Sequence, residues 1–282
     1  MNLAVAIEGV LGRSPTAMQS LSGGCVGELY LVRLAGDERV VAKVDDASTG
    51  RLDVEGRMLR YLREHSELPV PAVLHAEPAL LLMQWMPGNT GCSRLAEPKA
   101  AALLSELHGV RAERHGFECD TLIGGLLQPN PWCDSWLQFF AEHRLLDRGR
   151  RVRDLGRLDD RRLRQLERLA GRLGDWLDEP DAPRLLHGDV WSGNVLSRGN
   201  EITAFLDPAI YYGHPEVELA FITLFSTFGE RFFAAYRQSR PLDEDFFEVR
   251  RHLYNLYPLL VHSELFGGGY VDDVKSVLDR FA

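Results

Sequence analysis

Apolar positions along the chain follow two different periods. Residues 29–34 alternate with a period of two, the mark of a half-buried strand, and 39–44 (RVVAKV), 72–76 and 79–85 read as further strands. Elsewhere apolar residues recur every three or four positions and predict helices. These cover 2–11, 51–65 (Val54, Met58, Leu59 and Leu62 on one face), 98–109, 134–146, 160–178, 217–228 and 243–265, with a short helix closing the chain. Pro258 is expected to bend the long helix at 243–265. Residues 12–22 and 116–133 read as loops. Strands come early and helices late, with a Pro87-Gly88 break between them. The expectation is an α+β chain with an N-terminal antiparallel-sheet unit (1–86) and a mainly helical C-terminal unit (87–282). The helical stripes read as core, with no cofactor implied.

Composition narrows the picture. The 282 residues carry a net charge of −9, which argues against nucleic acid or an anionic membrane as partner. The four cysteines, at 25, 92, 119 and 133, have no C-x-x-C spacing and no paired histidines. No zinc site or disulfide framework is expected, and a reducing cytoplasm is. No apolar run reaches membrane-spanning length, and the opening MNLAVAIEGVLG lacks a basic start. Lysine occurs only at 43, 99 and 275, which singles out Lys43 inside an apolar strand.

The most informative stretch is Leu186-His187-Gly188-Asp189-Val190-Trp191-Ser192-Gly193-Asn194-Val195, followed by Phe205-Leu206-Asp207-Pro208. It reads as strand, tight loop, hairpin and second strand. His-x-Asp, four residues, Asn, and a later Asp make up the catalytic signature of kinases. Phosphoryl transfer needs a carboxylate to take the acceptor proton, and oxygen ligands for Mg²⁺. Asp189 suits the first role, Asn194 and Asp207 the second. A plain loop with Asp and Asn in turns is the competing reading.

Upstream residues complete the set. Ser22-Gly23-Gly24-Cys25 lies before a strand and would put backbone N–H groups over phosphates. No Gly-Lys-Ser/Thr occurs, so this is no Walker loop. Lys43 stands where a phosphate-pairing lysine would, or else snorkels from an edge strand. Glu55 is the foremost candidate for its ion-pair partner, ahead of Asp53 and Glu64. Backbone groups around Gln84 and Met86 could meet an adenine. His108 reads as a packing or capping residue. Only a short stretch separates Asp207 from the next helix, with no Ala-Pro-Glu, so no long activation segment is expected.

With these residues in view, the chain resembles the fructosamine kinase (ketosamine-3-kinase) family over nearly its whole length. The resemblance rests on Ser22-Gly23-Gly24-Cys25, Asn130-Pro131-Trp132, the Trp191-Ser192-Gly193-Asn194 form of the loop, Asp207-Pro208-Ala209, Tyr212-Gly213-His214, Glu218-Leu219-Ala220 and Gly267-Gly268-Gly269-Tyr270. Related aminoglycoside and choline kinases usually lack the Trp-Ser-Gly. The resemblance implies a two-lobed protein-kinase-like fold and ATP- and Mg²⁺-dependent phosphorylation of the sugar 3-hydroxyl of ketosamines, free or on protein, which leads to deglycation. It implies Asp189 as base, Asn194 and Asp207 on Mg²⁺, Lys43 on phosphate held by Glu55, and Gly23, Gly24 and Cys25 over the phosphates. Trp191 is either a platform for the acceptor sugar or loop packing. Cys25 is either a redox-sensitive thiol or a small turn residue. The competing functions are a kinase of another small alcohol and a nucleotide-binding pseudokinase. The preferred sugar and the oligomeric state stay open.

Overall fold

The computed structural model describes residues 2–21, 27–36, 38–46 and 50–282. Its first part is a five-stranded antiparallel sheet of order β1-β2-β3-β5-β4. The strands are β1 (Pro15–Leu21), β2 (Glu28–Leu34), β3 (Arg39–Val44), β4 (Val73–Glu77) and β5 (Leu80–Gln84). Helix α1 (Leu3–Leu11) covers one face, where Ile7 packs with Val32, Leu34, Val40, Ala42, Leu80 and Leu82. Period two then sends Val41, Lys43, Leu81 and Met83 to the other face, towards helix α2 (Leu52–His65). Gly56 allows that helix to lie close, since a Cβ there would stand 2.5 Å from the Ala76 Cβ.

Strand β1 replaces the loop expected at 12–22. Its middle residues are exposed, so no hydrophobic alternation marks it, and it exists by pairing with β2. The glycine stretch with Gly23, Gly24 and Cys25 lies outside the described residues.

The second part is helical, with small sheets that carry the loops. Strand β6 (Asn89–Thr90) leads to helix α3 (Glu97–Leu107) and a hairpin, β7 (Thr121–Ile123) and β8 (Leu126–Gln128). The hairpin corrects part of the expected loop at 116–133; its turn is Gly124-Gly125, both at positive φ. Next come α4 (Trp136–Phe140), a π-helical turn (Ala141–Leu146) and α5 (Asp147–Asp154), then α6 (Asp160–Ala170). The helix expected over 160–178 is shorter: regular geometry ends before Gly171, and a 3-10 turn (Leu173–Asp175) follows.

Strand β9 (Arg184–Leu186) precedes the loop and a 3-10 turn at Ser192–Asn194. Hairpin β10 (Val195–Arg198) and β11 (Glu201–Phe205) turns at Gly199-Asn200, and β10 also pairs β6. Strand β12 (Tyr211–Gly213) pairs β9, a contact no local pattern announces. Helix α7 (Pro215–Leu224) ends before Ser226, which has φ of 50°, so it is shorter than the expected 217–228. Helix α8 (Glu230–Ser239) was not anticipated. The expected helix at 243–265 is a π-helical turn (Phe246–Arg250), α9 (Arg251–Tyr254) and α10 (Leu256–Leu265), interrupted at Asn255. Pro258 has no N–H to return to Tyr254, which accounts for the break just before it. Helix α11 (Gly269–Phe281) closes the chain. Among the described residues no helix is long and apolar enough to cross a membrane.

Two histidines make this packing sensitive to acid. His115 is 3% exposed and its Nδ1 has no partner among the described residues. His214 caps α7 by accepting the Glu216 N–H at Nδ1, 3.1 Å away, and lies against Trp136 and Tyr254. Burial pushes them down to about 4 and about 3 respectively, with Arg250 adding to the shift of His214. The unfolded chain takes up these protons near pH ~6.5, so stability present above that value is lost as the pH falls towards 4. The melting temperature is expected to drop between pH 7 and pH 5, and to drop less in His214→Asn, whose amide retains a capping oxygen. Equal slopes for the two proteins would remove His214 from the account.

Candidate active site

A cavity of about 790 Å³ lies between the sheet and the helical part. Its walls include Leu29, Val41, Met83, Gln84 and Met86 on one side and Asp189, Trp191, Asn194 and Asp207 on the other. Lys43 and Glu55 lie along it as well. Thus Lys43, Glu55, Gln84, Met86, Asp189, Trp191, Asn194 and Asp207 all reach the same space.

Lys43 is 3% exposed, and its Nζ donates to Glu55 Oε2 at 2.7 Å and to Asp207 Oδ1 at 3.3 Å. Of the carboxylates on α2, Glu55 is the one that meets it; it is 7% exposed, on the buried helix face. Burial opposes the charge on Lys43, but Asp207 and Glu55 outweigh it and raise the ammonium above its ordinary value. Burial, with the Asp207 charge behind it, pushes the Glu55 carboxyl up against the pull of Lys43. One cation is shared between two acids.

Asp207 has φ of 49°, a left-handed conformation that Asp tolerates better than most residues. The strained residue lies two positions past the end of β11 and turns the chain, so the carboxylate faces back to Lys43. Asp189 sits opposite. Its Oδ2 accepts from Asn194 Nδ2 at 2.9 Å, and the same nitrogen reaches the Asp189 carbonyl at 3.0 Å. The amide nitrogen of Asn194 is therefore committed, and its carbonyl oxygen is left to face the cavity. Burial, then the Asp207 charge, push the Asp189 carboxyl up to about 8.

The loop geometry is set by glycines. Gly188 has φ of 85°, and a Cβ there would stand 2.2 Å from the Ala209 carbonyl oxygen. Ala209 N in turn donates to the His187 carbonyl at 2.7 Å. Gly193 lies under the Trp191 ring: its Cβ would be 2.4 Å from two ring carbons. The indole packs on its own loop and still leaves 38% of Trp191 exposed at the cavity. The loop-packing expectation for this residue describes this arrangement.

Several residues to which the sequence assigned no role support the site. Gln128 donates to the Ala209 carbonyl at 3.0 Å and accepts from the Tyr257 hydroxyl at 2.6 Å. Buried Arg144 holds Asn130 Oδ1 at 2.6 Å and the Pro129 carbonyl at 2.7 Å. Together they fix the β7–β8 hairpin, whose Leu122, Gly124 and Gly125 line the cavity. The Asn130-Pro131-Trp132 motif is thus a brace. His108 does not touch the cavity; it bonds Glu218 and Tyr236.

Comparison with known proteins finds relatives over nearly the whole chain. The family model described as fructosamine kinase matches residues 3–282. A protein of Synechocystis sp. named a probable ketoamine kinase is 33% identical over 271 residues, covering 93% of this chain and 89% of its own. The chloroplastic protein-ribulosamine 3-kinase of Oryza sativa subsp. japonica is 29% identical, covering 94% of this chain and 79% of its own. A crystal structure from Thermobifida fusca, with a provisional fructosamine-3-kinase assignment, superposes with a TM-score of 0.86 at 31% identity and 99% coverage of both chains. An aminoglycoside phosphotransferase structure shares the fold, with a TM-score of 0.69 at 18% identity and coverage of 99% and 97%.

The Trp191–Gly193 contact is directly testable. Gly193→Ala is expected to lift the indole off the loop and red-shift its emission relative to Trp191→Phe controls. Unchanged emission would mean the ring does not rest on Gly193 in solution.

Proposed function

Since the chain belongs to the fructosamine kinase family, we propose that it is an ATP-dependent kinase that phosphorylates the 3-hydroxyl of ketosamines. The observation that carries this reading is the convergence of Lys43, Glu55, Asp189, Asn194 and Asp207 on one cavity. Asp189 takes the proton of the acceptor hydroxyl. Lys43, steadied by Glu55, pairs with phosphate oxygens. Gln84 and Met86 border the place for the adenine, and Trp191 offers its exposed face to the acceptor sugar. The two lobes divide between Met86 and Pro87, since the first sheet ends at Gln84 and β6 already pairs with β10.

The acid-rich end of the cavity fits Mg²⁺. Lys43 is shared by Glu55 and Asp207, and the neighbouring Asp189 carboxyl is pushed up, so negative charge there is under-compensated. Asn194 Oδ1 and Asp207 would hold the ion, which when bound neutralises the transferring phosphates. Among the described residues no cluster of three His, Cys, Asp or Glu is present. Two protein oxygens suffice for Mg²⁺ when water and phosphates supply the rest.

The acceptors are ribulosamines or fructosamines, free or on a protein lysine. The phosphorylated adduct sheds its sugar and leaves the amine repaired. A cytoplasmic setting fits the described cysteines at 92, 119 and 133, which are free thiols.

Turnover should be measured on ribuloselysine, fructoselysine and an aminoglycoside side by side. A ketosamine is expected to be phosphorylated, and Asp189→Asn to lower kcat by ~10²- to 10⁴-fold. Turnover confined to the aminoglycoside would overturn the acceptor, and an undiminished Asp189→Asn would overturn the base. Lys43→Ala is expected to raise the KM for ATP; an unchanged KM would remove Lys43 from the nucleotide site.

A further inference from the structure

The cavity carries more negative than positive charge. Among the described residues its walls hold four carboxylates, Asp45, Glu55, Asp189 and Asp207, and two cations, Lys43 and Arg51. A nucleoside triphosphate brings further negative charge into that space, and phosphoryl transfer is catalysed chiefly by the positive groups that meet it. Lys43 is already committed: two of its three donors go to Glu55 Oε2 and Asp207 Oδ1. The stretch from His187 to Val195 contains no Lys or Arg, and neither does the stretch from Asp207 to His214. Ser22 to Val26, before β2, contains none either. Arg51 is therefore a cation of the cavity wall to which the phosphate chemistry has assigned no part.

Its place is built by the chain around it. Gly50 passes so close to the turn between β4 and β5 that a Cβ there would stand 2.3 Å from the Pro78 carbonyl oxygen. Leu52 N–H donates to that same carbonyl at 3.1 Å, and Val54 N–H donates to the Arg51 carbonyl at 3.0 Å. The backbone of Arg51 is thus seated at the start of α2, one turn (~6 Å along the axis) before Glu55. Arg51, Glu55 and Met58 follow each other at helical spacing, and all three line the cavity. Glu55 lies 2.7 Å from Lys43, which lies 3.3 Å from Asp207, so Arg51 stands one turn from the group that faces the catalytic loop.

The side chain is free to act. Arg51 is exposed, makes no capping bond and has no side-chain partner among the described residues. Asp45 does not hold it: its Oδ1 accepts the backbone N–H of Asp46 at 2.8 Å. The arginines that brace the fold are bonded, as Arg144 is to Asn130 and Arg148 to Glu264. A guanidinium presents a planar fork of donors, which suits the equatorial oxygens over which a transferring phosphoryl group spreads its charge.

We propose that Arg51 is a catalytic residue that meets the transferring phosphoryl group. This rests on the reading of the cavity as the site of an ATP-dependent kinase. The acceptor oxygen bonds to the γ-phosphorus while the bond to the β–γ bridging oxygen breaks. The acceptor proton passes to Asp189, and ADP leaves with the electron pair. Arg51 gives up no proton; its charge offsets that of the phosphoryl oxygens as the group moves from donor to acceptor.

The test compares wild type, Arg51→Met and Arg51→Lys. Arg51→Met removes the charge from an exposed position, and it is expected to fold as wild type does. MgADP is titrated into each by calorimetry, alone and with aluminium fluoride, which stands in for the phosphoryl group in flight. Arg51→Met is expected to bind MgADP within about twofold of wild type and the fluoride complex ~10- to 100-fold more weakly, with single-turnover transfer to ribuloselysine slowed by a like factor. Arg51→Lys is expected to recover part of both losses, since it keeps the charge and lacks the fork. Equal weakening of MgADP and of the fluoride complex would overturn the proposal and make Arg51 a nucleotide-binding residue. A raised acceptor KM at unchanged kcat would also overturn it and give the guanidinium to the acceptor. Unchanged binding and unchanged kcat would leave Arg51 a surface charge. The binding comparison needs no acceptor, so it reads Arg51 even where wild type fails to phosphorylate ribuloselysine, and wild-type turnover reads the acceptor separately.

Discussion

The arrangement depends on a single ammonium placed among acids. Lys43 is buried on β3, and its Nζ bonds Glu55 from α2 and Asp207 from the far end of the chain. A buried lysine without partners would lose its proton or leave the interior, and removal of one partner from such a pair costs about 3–5 kcal/mol. Packing of the sheet, the approach of α2 through Gly56 and the left-handed turn at Asp207 all serve this one meeting. The same interaction joins the two parts of the molecule, because Asp207 follows the β10–β11 hairpin and Lys43 belongs to the sheet.

A second constraint acts on the loop. Asp189 and Asn194 bond each other, so each restricts the other's rotamer. Gly188 and Gly193 are required for separate reasons: one for a positive φ against a carbonyl, the other for the closeness of an indole ring. The Trp-Ser-Gly-Asn form of the loop is thereby a packing unit. The helical part supplies rigidity from behind, through Gln128 on the Ala209 carbonyl and Glu218 on the Gly188 N–H.

Much of this was readable in residue order. The catalytic loop and its hairpin lie within a short stretch, where spacing constrains geometry tightly. Strands β2, β3 and β5 are apolar-rich runs bounded by turns, and the strand period of two sends Lys43 to the face of α2. Reading failed where structure came from distant partners. Strand β1 is exposed and β12 has three residues; both are strands because of what they pair with. The β7–β8 hairpin is held by Gln128, Asn130 and buried Arg148, whose partners are Glu264 and the Leu127 carbonyl. Helix ends were misplaced where glycine, a positive φ at Ser226 or Pro258 interrupted an otherwise periodic run.

The sequence by itself therefore determined the family and the two-part architecture, and it singled out the residues proposed to carry chemistry, because phosphoryl transfer demands particular side chains at close spacing along one loop. Tertiary structure alone decided that Lys43 is shared between Glu55 and Asp207, and how the indole of Trp191 rests on its loop. It also decided that His108, Glu218 and Tyr236 form one buried chain behind Asp189. Those contacts join residues more than a hundred positions apart. Periodicity reports only whether a residue faces inward, and the distance between two inward-facing groups is set by how the elements pack.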